Sequence, residues 1–190
     1  MAETNTEDTA QPAEAKPTRR RTPKRKVVEQ HARSSFDALA RREAEGIGEH
    51  YREDCVVEIV PIGVFRGRQA IVDFFRETFA AVPDLETTVT RVVAGETQAA
   101  VEWRMSGHFT GAPFQGIDPT GKQVELRGLD LLEIEDGKTV SNMAYYDGAS
   151  FARQVGMLPP EGSGAERTMK SAFNAVTKVR KALAERTGGG

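Results

Sequence analysis

The chain has 190 residues, of which 38% are hydrophobic and 28% charged, and its formal net charge is −2. This length fits one domain with additional segments and excludes a large multidomain enzyme. The composition is typical of a soluble globular protein. No apolar run is long enough to span a membrane. The first residues lack the apolar segment of a secretory signal, so we expect a cytoplasmic protein.

The charges are distributed unevenly along the chain. Residues 1–15 are acidic, residues 16–26 contain seven bases and no acid, and residues 27–160 carry an excess of acids. Residues 1–26 contain few apolar side chains, which predicts a disordered tail. The basic part of this tail is either a solubilising segment or a contact for nucleic acid or another anionic surface.

Helical periodicity dominates the first part of the domain. Apolar residues from Val28 to Ala40 share one helical face, a short second helix is expected over residues 47–52, and a third helix ends before Pro83. Between the second and third helices, residues 55–60 form an apolar strand. Cys55, the only cysteine, lies in that strand, and we interpret it as a core thiol.

Alternating apolar residues dominate the second part. They predict four antiparallel strands over residues 85–94, 98–109, 124–135 and 139–147, and Asp136 with Gly137 predicts a hairpin between the last two. A short helix follows the last strand. Residues 165–187 then form an amphipathic helix that would dock on the domain, pair with a partner or lie on an anionic membrane. Helices followed by an antiparallel sheet predict an α+β fold.

Six segments in a fixed order resemble the SnoaL-like polyketide cyclase family of the nuclear transport factor 2-like superfamily. They are ALARREAEGIGEHYREDCVVE (38–58), FRGRQAI (65–71), VPDLE (82–86), GHFTGAPFQGIDPTGKQVELRG (107–128), DGKTVSNMAYYD (136–147) and RQVGMLP (153–159). The resemblance implies a cone-shaped, curved antiparallel sheet wrapped round N-terminal helices, with a deep apolar pocket and often a homodimer. The tail (1–26) and the linker with the C-terminal helix (161–190) are extra to the family pattern, which leaves a SnoaL-like domain over residues 27–160.

The resemblance also implies a chemistry. A cyclase of this type removes a proton beside a carbonyl and lets the enolate attack a second carbonyl, without a metal or organic cofactor. One hypothesis is therefore an acid/base enzyme of cyclase or isomerase type that acts on a small hydrophobic carbonyl compound. The alternative is a non-catalytic small-molecule-binding or scaffold protein whose tails contact a partner.

Three residues are candidates for the acid/base group. Asp147 matches the position of the cyclase aspartate and is also well placed to cap the following helix. Asp130 falls on the apolar face of its strand, where it is either a pocket acid or a buried partner of neighbouring donors. His108 matches a position that is often polar in the family. It lies on the solvated face unless a bulge at Gly107 turns it inward.

Aromatic residues are expected to form the core or the wall of a substrate pocket. They are Phe65, Phe75, Phe79, Trp103, Phe114, Tyr145 and Tyr146. Met143 and Ala144 are apolar where many family members carry a Trp and a polar or acidic residue, which favours the non-catalytic alternative. The histidines lack metal-ligand spacing, so no metal site is expected.

Overall fold

A computed structural model describes residues 24–187. Residues 1–23, most of the predicted tail, lie outside the described residues, and the first helix begins three residues before the predicted domain boundary. The elements are α1 (Lys24–Ala40), α2 (Ala44–Glu49), β1 (Tyr51–Val60), β2 (Gly63–Arg66), α3 (Arg68–Ala81), β3 (Glu86–Ala94), β4 (Gln98–His108), β5 (Gln123–Glu135), β6 (Lys138–Tyr146), α4 (Gly148–Val155) and α5 (Gly164–Thr187).

The strands form one six-stranded sheet in the order β2-β1-β6-β5-β4-β3. The predicted four-stranded antiparallel meander is confirmed as β3 to β6, and the predicted hairpin joins β5 to β6 with Asp136 and Gly137 at positive φ. β1 pairs with β6 in parallel, a pairing that the sequence does not predict. The α+β fold class is confirmed, with a curved open sheet.

The predicted helix over residues 47–52 is wrong at its C-terminal end. The helix ends at Glu49, and Tyr51 already belongs to β1 with its side chain buried. The physical reason is the pairing with β6, because the backbone N–H of Thr139 donates to the carbonyl oxygen of His50 over 2.8 Å. The short strand β2, which the sequence analysis did not identify, then forms a hairpin with β1.

The core lies between α1, α2 and α3 and the inner face of the sheet. Residues such as Ile71, Val101 and Leu132 are almost completely buried, and each stabilises the fold by about 1.5–3 kcal/mol. Cys55 is fully buried in this core, and burial raises the pKa of its thiol, which agrees with the predicted structural role.

The last strand contains an irregularity that positions the site. The pairing of β6 with both neighbours shifts register at Val140, between Thr139 and Ser141. Strict alternation would place Thr139 and Asn142 on opposite faces of the strand. The shift turns both side chains inward, and both residues are buried.

The C-terminal helix stands apart from this core. Glu166 in its first turn is buried, accepts from the backbone N–H of Gly162 over 2.8 Å, and lies 3.5 Å from Arg153 of α4. From Arg167 to Ala182 every residue of α5 is exposed, so docking on the domain, one of the three expectations for this helix, is not seen along this stretch. Among the described residues, no helix has the length and apolarity needed to cross a membrane.

Candidate functional site

A cavity of about 130 Å³ opens between α1, α3 and the inner face of the sheet. Its lining is almost entirely aliphatic and aromatic. The long loop after β4 helps to enclose it, because the backbone N–H groups of Gly111 and Ala112 donate to carbonyl oxygens at the end of α3. Phe114 of that loop lines the cavity and contacts the ring of Phe74.

One carboxylate lies in this apolar cavity. Asp130 of β5 is 8% exposed, and it is the only acidic residue in the cavity lining among the described residues. The indole Nε1–H of Trp103 on β4 donates to Oδ1 over 2.7 Å, and Nδ2 of Asn142 on β6 donates to Oδ2 over 2.7 Å. The carboxylate is therefore held from both neighbouring strands.

Burial raises the pKa of Asp130 from 3.8 to about 6. The loss of hydration disfavours the charged carboxylate and is the largest effect. The hydrogen bonds from Asn142 and Trp103 favour the charged form and oppose this shift only in part. A carboxyl group with a pKa near 6 accepts a proton when ionised and returns it at a pH close to neutral.

Gly128 allows Trp103 to reach Asp130. The two residues are directly paired between β4 and β5, and the indole ring lies over the glycine. A Cβ atom at position 128 would overlap the ring. The register runs without interruption through Gly128 and Gly107, so no bulge at Gly107 turns His108 inward.

Tyr51 and Asn142 complete the polar end of the cavity, and the sequence analysis identified neither. The Asn142 amide also donates to the Tyr51 hydroxyl oxygen over 3.2 Å. Two polar atoms remain available: the buried Oδ1 of Asn142 has no partner among the described residues, and no described acceptor takes the phenol proton of Tyr51. Burial strongly raises the pKa of Tyr51, so its hydroxyl stays protonated.

The other two predicted acid/base candidates lie outside the cavity lining. Asp147 is exposed, and its carboxylate caps α4 by accepting from the backbone N–H of Ser150 over 2.9 Å. His108 is exposed at the end of β4, as its parity predicts. Its Nδ1 lies 2.7 Å from Oδ2 of Asp84, and its backbone N–H and ring lower the pKa of that carboxyl.

The predicted aromatic wall divides into two groups. Phe75, Trp103, Phe114 and Tyr146 line the cavity, whereas Phe65 and Phe79 pack against the phenylalanines of α3 behind it. Tyr145 is on the opposite face of the sheet, where its hydroxyl donates to the sulfur of Met143. Strand alternation explains the separation of Tyr145 from Tyr146.

Residues 24–187 contain no group of three or more His, Cys, Asp or Glu side chains placed to hold a metal ion. The nearest approach to a histidine cluster is the contact of the His31 and His50 rings, 5.2 Å apart. His31 lies 2.9 Å from the Thr139 hydroxyl, three residues before Asn142 on β6, and neither histidine lines the cavity.

A family model described as SnoaL-like polyketide cyclase matches residues 29–155. Several solved structures share the fold. AclR from Streptomyces galilaeus is 21% identical with a TM-score of 0.64, over 86% of this chain and 98% of that chain. A SnoaL-like polyketide cyclase candidate from Jannaschia sp. CCS1 is 19% identical with a TM-score of 0.65, over 75% and 100%.

The same fold also serves a different named activity. An LEH-like epoxide hydrolase from M. tuberculosis is 16% identical with a TM-score of 0.57, over 70% of this chain and 92% of that chain. At these identities the likeness concerns the fold alone. A comparison with curated proteins finds no match.

Proposed function

Because the chain belongs to the SnoaL-like polyketide cyclase family, we propose that its cavity binds a small hydrophobic carbonyl compound and that Asp130 is the acid/base group. One observation carries this proposal: a lone carboxylate with a pKa of about 6 in an apolar cavity. Burial places the proton affinity of this group where general acid/base catalysis near neutral pH is most effective.

The proposed reaction is an intramolecular aldol-type cyclisation. Ionised Asp130 takes a proton from the carbon beside one carbonyl, and the electron pair of the C–H bond forms the enolate. The enolate carbon attacks a second carbonyl, a C–C bond forms, and the protonated carboxyl returns its proton to the new alkoxide. No cofactor enters this sequence.

Tyr51 and Asn142 provide the binding groups that the reaction needs. The free phenol proton of Tyr51 donates to the oxygen on which the enolate charge develops. The unpartnered Oδ1 of Asn142 accepts from a hydroxyl or enol O–H of the ligand, because a buried acceptor without a partner is costly. The favoured ligand is therefore a carbonyl compound that also carries a hydroxyl group.

The alternative is a binding protein of the same fold without catalysis. Ala144 supports it, because this residue pairs directly with Asp130 and offers no second acid or base. The cavity lining also contains no other carboxylate among the described residues. In this case Asp130 and Asn142 would only hold a polar group of the ligand.

The experiment combines a ligand screen with turnover. Polycyclic ketones, steroids, epoxides and fatty acids are tested by thermal shift on the full chain, and a ligand at 100 times its Kd should add about 2.7 kcal/mol of stability. Hits are then assayed with wild type and with Asp130→Asn. The matched control is Asp136→Asn, the same change at a hairpin position that suits asparagine.

We expect hydroxylated ketones to bind and to be turned over, and Asp130→Asn to lower kcat by about 10²–10⁴-fold. Asp136→Asn should behave as wild type. Binding without turnover in any protein would favour the non-catalytic alternative, and turnover that survives in Asp130→Asn would remove Asp130 from the mechanism. The candidates Asp147 and His108 would then be tested in the same assay.

We further propose that the protein is a cytoplasmic homodimer. The outer face of the sheet exposes a group of apolar side chains on β5 and β6, including Leu129, Leu131, Met143 and Tyr145. A second copy of the same face is the proposed occupant, because apolar residues clustered on one side of a sheet favour association. Light scattering should give the mass of a dimer for wild type and the mass of a monomer for Leu131→Glu. Equal masses for the two proteins would contradict the proposed interface.

A further inference from the structure

The C-terminal helix α5 carries a surface that the proposed reaction does not use. Met169, Phe173, Val176 and Val179 form an apolar stripe about 120° wide, given 3.6 residues per turn, and Arg180 is the charged residue that falls within the same arc. All four are exposed, and Phe173 is 70% exposed. An exposed apolar stripe on a helix that does not pack on its own domain indicates a binding surface for another molecule or for a membrane.

The charge of the helix indicates which kind of surface would bind the stripe. The 24 residues of α5 contain six bases and two acids. One of the acids, Glu166, is already engaged by Arg153 and by Lys170 at 3.1 Å. Lys170, Lys178 and Lys181 lie away from the stripe, on the far side of the helix. The helix therefore combines an apolar stripe with an uncompensated positive charge.

We propose that α5 lies on an anionic lipid surface. Its stripe would enter the boundary between headgroups and acyl chains, with Arg180 at the level of the headgroups and the lysines on the far side attracted to them across the width of the helix. A helix is only about 10 Å wide, so every base stays within about one Debye length of the surface. The helix is not apolar enough to cross the membrane, which agrees with binding in the plane of the surface.

Pairing with a second copy of α5 explains the observations less well. The spacing of Met169, Ala172, Val176 and Val179 does follow a heptad pattern. This seam is short, however. The charged residue beside it is Arg180, and a second copy of the helix has no acid on the flank that would face this arginine. Pairing along this seam would therefore leave the positive charge of both helices without an acidic partner.

The attachment of α5 to the domain suits the proposed role. Ser163 caps α5, because the backbone N–H of Glu166 donates to its Oγ over 3.1 Å, and the Glu166 carboxylate accepts from the backbone N–H of Gly162 over 2.8 Å. The helix therefore begins at a defined point next to α4. Beyond this turn its apolar stripe is free of the core, so binding to lipid requires no unfolding of the domain.

The test is flotation of the full chain with vesicles of phosphatidylcholine, with and without phosphatidylglycerol. We expect binding only to the vesicles that contain phosphatidylglycerol. Phe173→Ser keeps every charge and should lower the partition coefficient by about tenfold or more. Lys178→Gln with Lys181→Gln should lower it by about fivefold for each lysine, because each base contributes near the surface.

Asn174→Ser, on the polar side of the same turn, is the matched control and should bind as wild type. All of these positions are exposed, so the variants should fold. Equal binding of Phe173→Ser and wild type would overturn the proposal, because the bases of residues 16–26 would then account for the attraction. Failure of wild type to bind anionic vesicles would also overturn it, and self-association that is lost in Phe173→Ser would assign the stripe to a second copy.

Discussion

Two titratable side chains, Asp130 and His31, contact polar side chains of the same strand, β6, but lie in different surroundings. Asp130 is held by Asn142 of β6 and faces the cavity, whereas His31 is held by Thr139 of β6 and contacts His50. Burial raises the pKa of Asp130 to about 6 and is the largest of the effects that lower the pKa of His31 to about 4. Both groups are therefore driven toward their neutral forms.

The difference between the two lies in what else is nearby. The Asp130 cluster contains an unpartnered acceptor on Asn142, a phenol proton without a described acceptor on Tyr51, and open space. The contacts of His31 are protein groups, and it does not line the cavity. A perturbed pKa alone therefore does not identify a site; the perturbed group must also meet a cavity and unsatisfied polar atoms.

The largest expected effect concerns the ionisation of Asp130. Its pKa is raised in the folded state, so its contribution to stability is present below the unfolded pKa of about 3.9 and is lost as pH rises through about 6. Relative to Asp130→Asn, wild type should lose up to about 3 kcal/mol of unfolding free energy between pH 4 and pH 8. Urea titrations at the two pH values measure this, and a constant difference would contradict it.

The next effect tests how the Asp130 cluster is assembled. Gly128→Ala places a Cβ where the Trp103 ring lies, so the unfolding free energy should fall by about 2 kcal/mol. Displacement of the indole also removes a donor from Asp130, and turnover should fall with it. Gly95→Ala is the control, because a Cβ there makes only ordinary contacts. If both variants lose equal stability, the close approach of Trp103 has no special cost.

A smaller effect separates the two donors to Asp130. Trp103→Phe removes the indole N–H but keeps an aromatic ring, which should cost about 1.5 kcal/mol in interaction with the ionised carboxylate. The pKa of Asp130 should therefore rise, and the pH at which turnover reaches half its maximum should move upward. A pH–rate profile measures this. A profile that does not move would show that the indole does not favour the ionised form.

The smallest expected effect is the contribution of His31 to the pH dependence of stability. The pKa of His31 is lowered by burial, by His50 and by Lys138. Its contribution to stability is present above its unfolded pKa of about 6.5 and is lost as pH falls toward 4, by about 1 kcal/mol after allowance for solvent screening. His31→Gln should reduce this acid sensitivity without changing turnover. A change in turnover would connect the two clusters.

The sequence predicts most of this fold because its strands alternate regularly. Val101 and Trp103 fall on the apolar face of β4, and Asp130 falls on the apolar face of β5, as the structure confirms. A carboxylate at a core position is an exception to the pattern, so sequence alone could identify Asp130 as a candidate. Asp147 and His108 had no such signal and were chosen through the family resemblance.

The partners of Asp130 could not be predicted in the same way. Counting back from the hairpin pairs Glu135 with Lys138, and regular alternation would then place Met143 opposite Asp130 and turn Asn142 outward. The register shift at Val140 puts Ala144 in that position and turns Asn142 inward. Tyr51 was assigned to a helix because a segment as short as residues 47–52 contains too little periodicity to distinguish helix from strand.

The parallel pairing of β1 with β6 has a consequence for the order of folding. β6 is the last strand along the chain, but in the sheet it lies between β1 and β5. β1 cannot form this pairing until β6 has been synthesised. Contacts between such distant segments slow folding because a long loop must close first. Until β6 is in place, Tyr51 and Asp130 have no Asn142 between them. A ligand that needs both Asn142 and Asp130 therefore binds only molecules in which β6 has paired with β5.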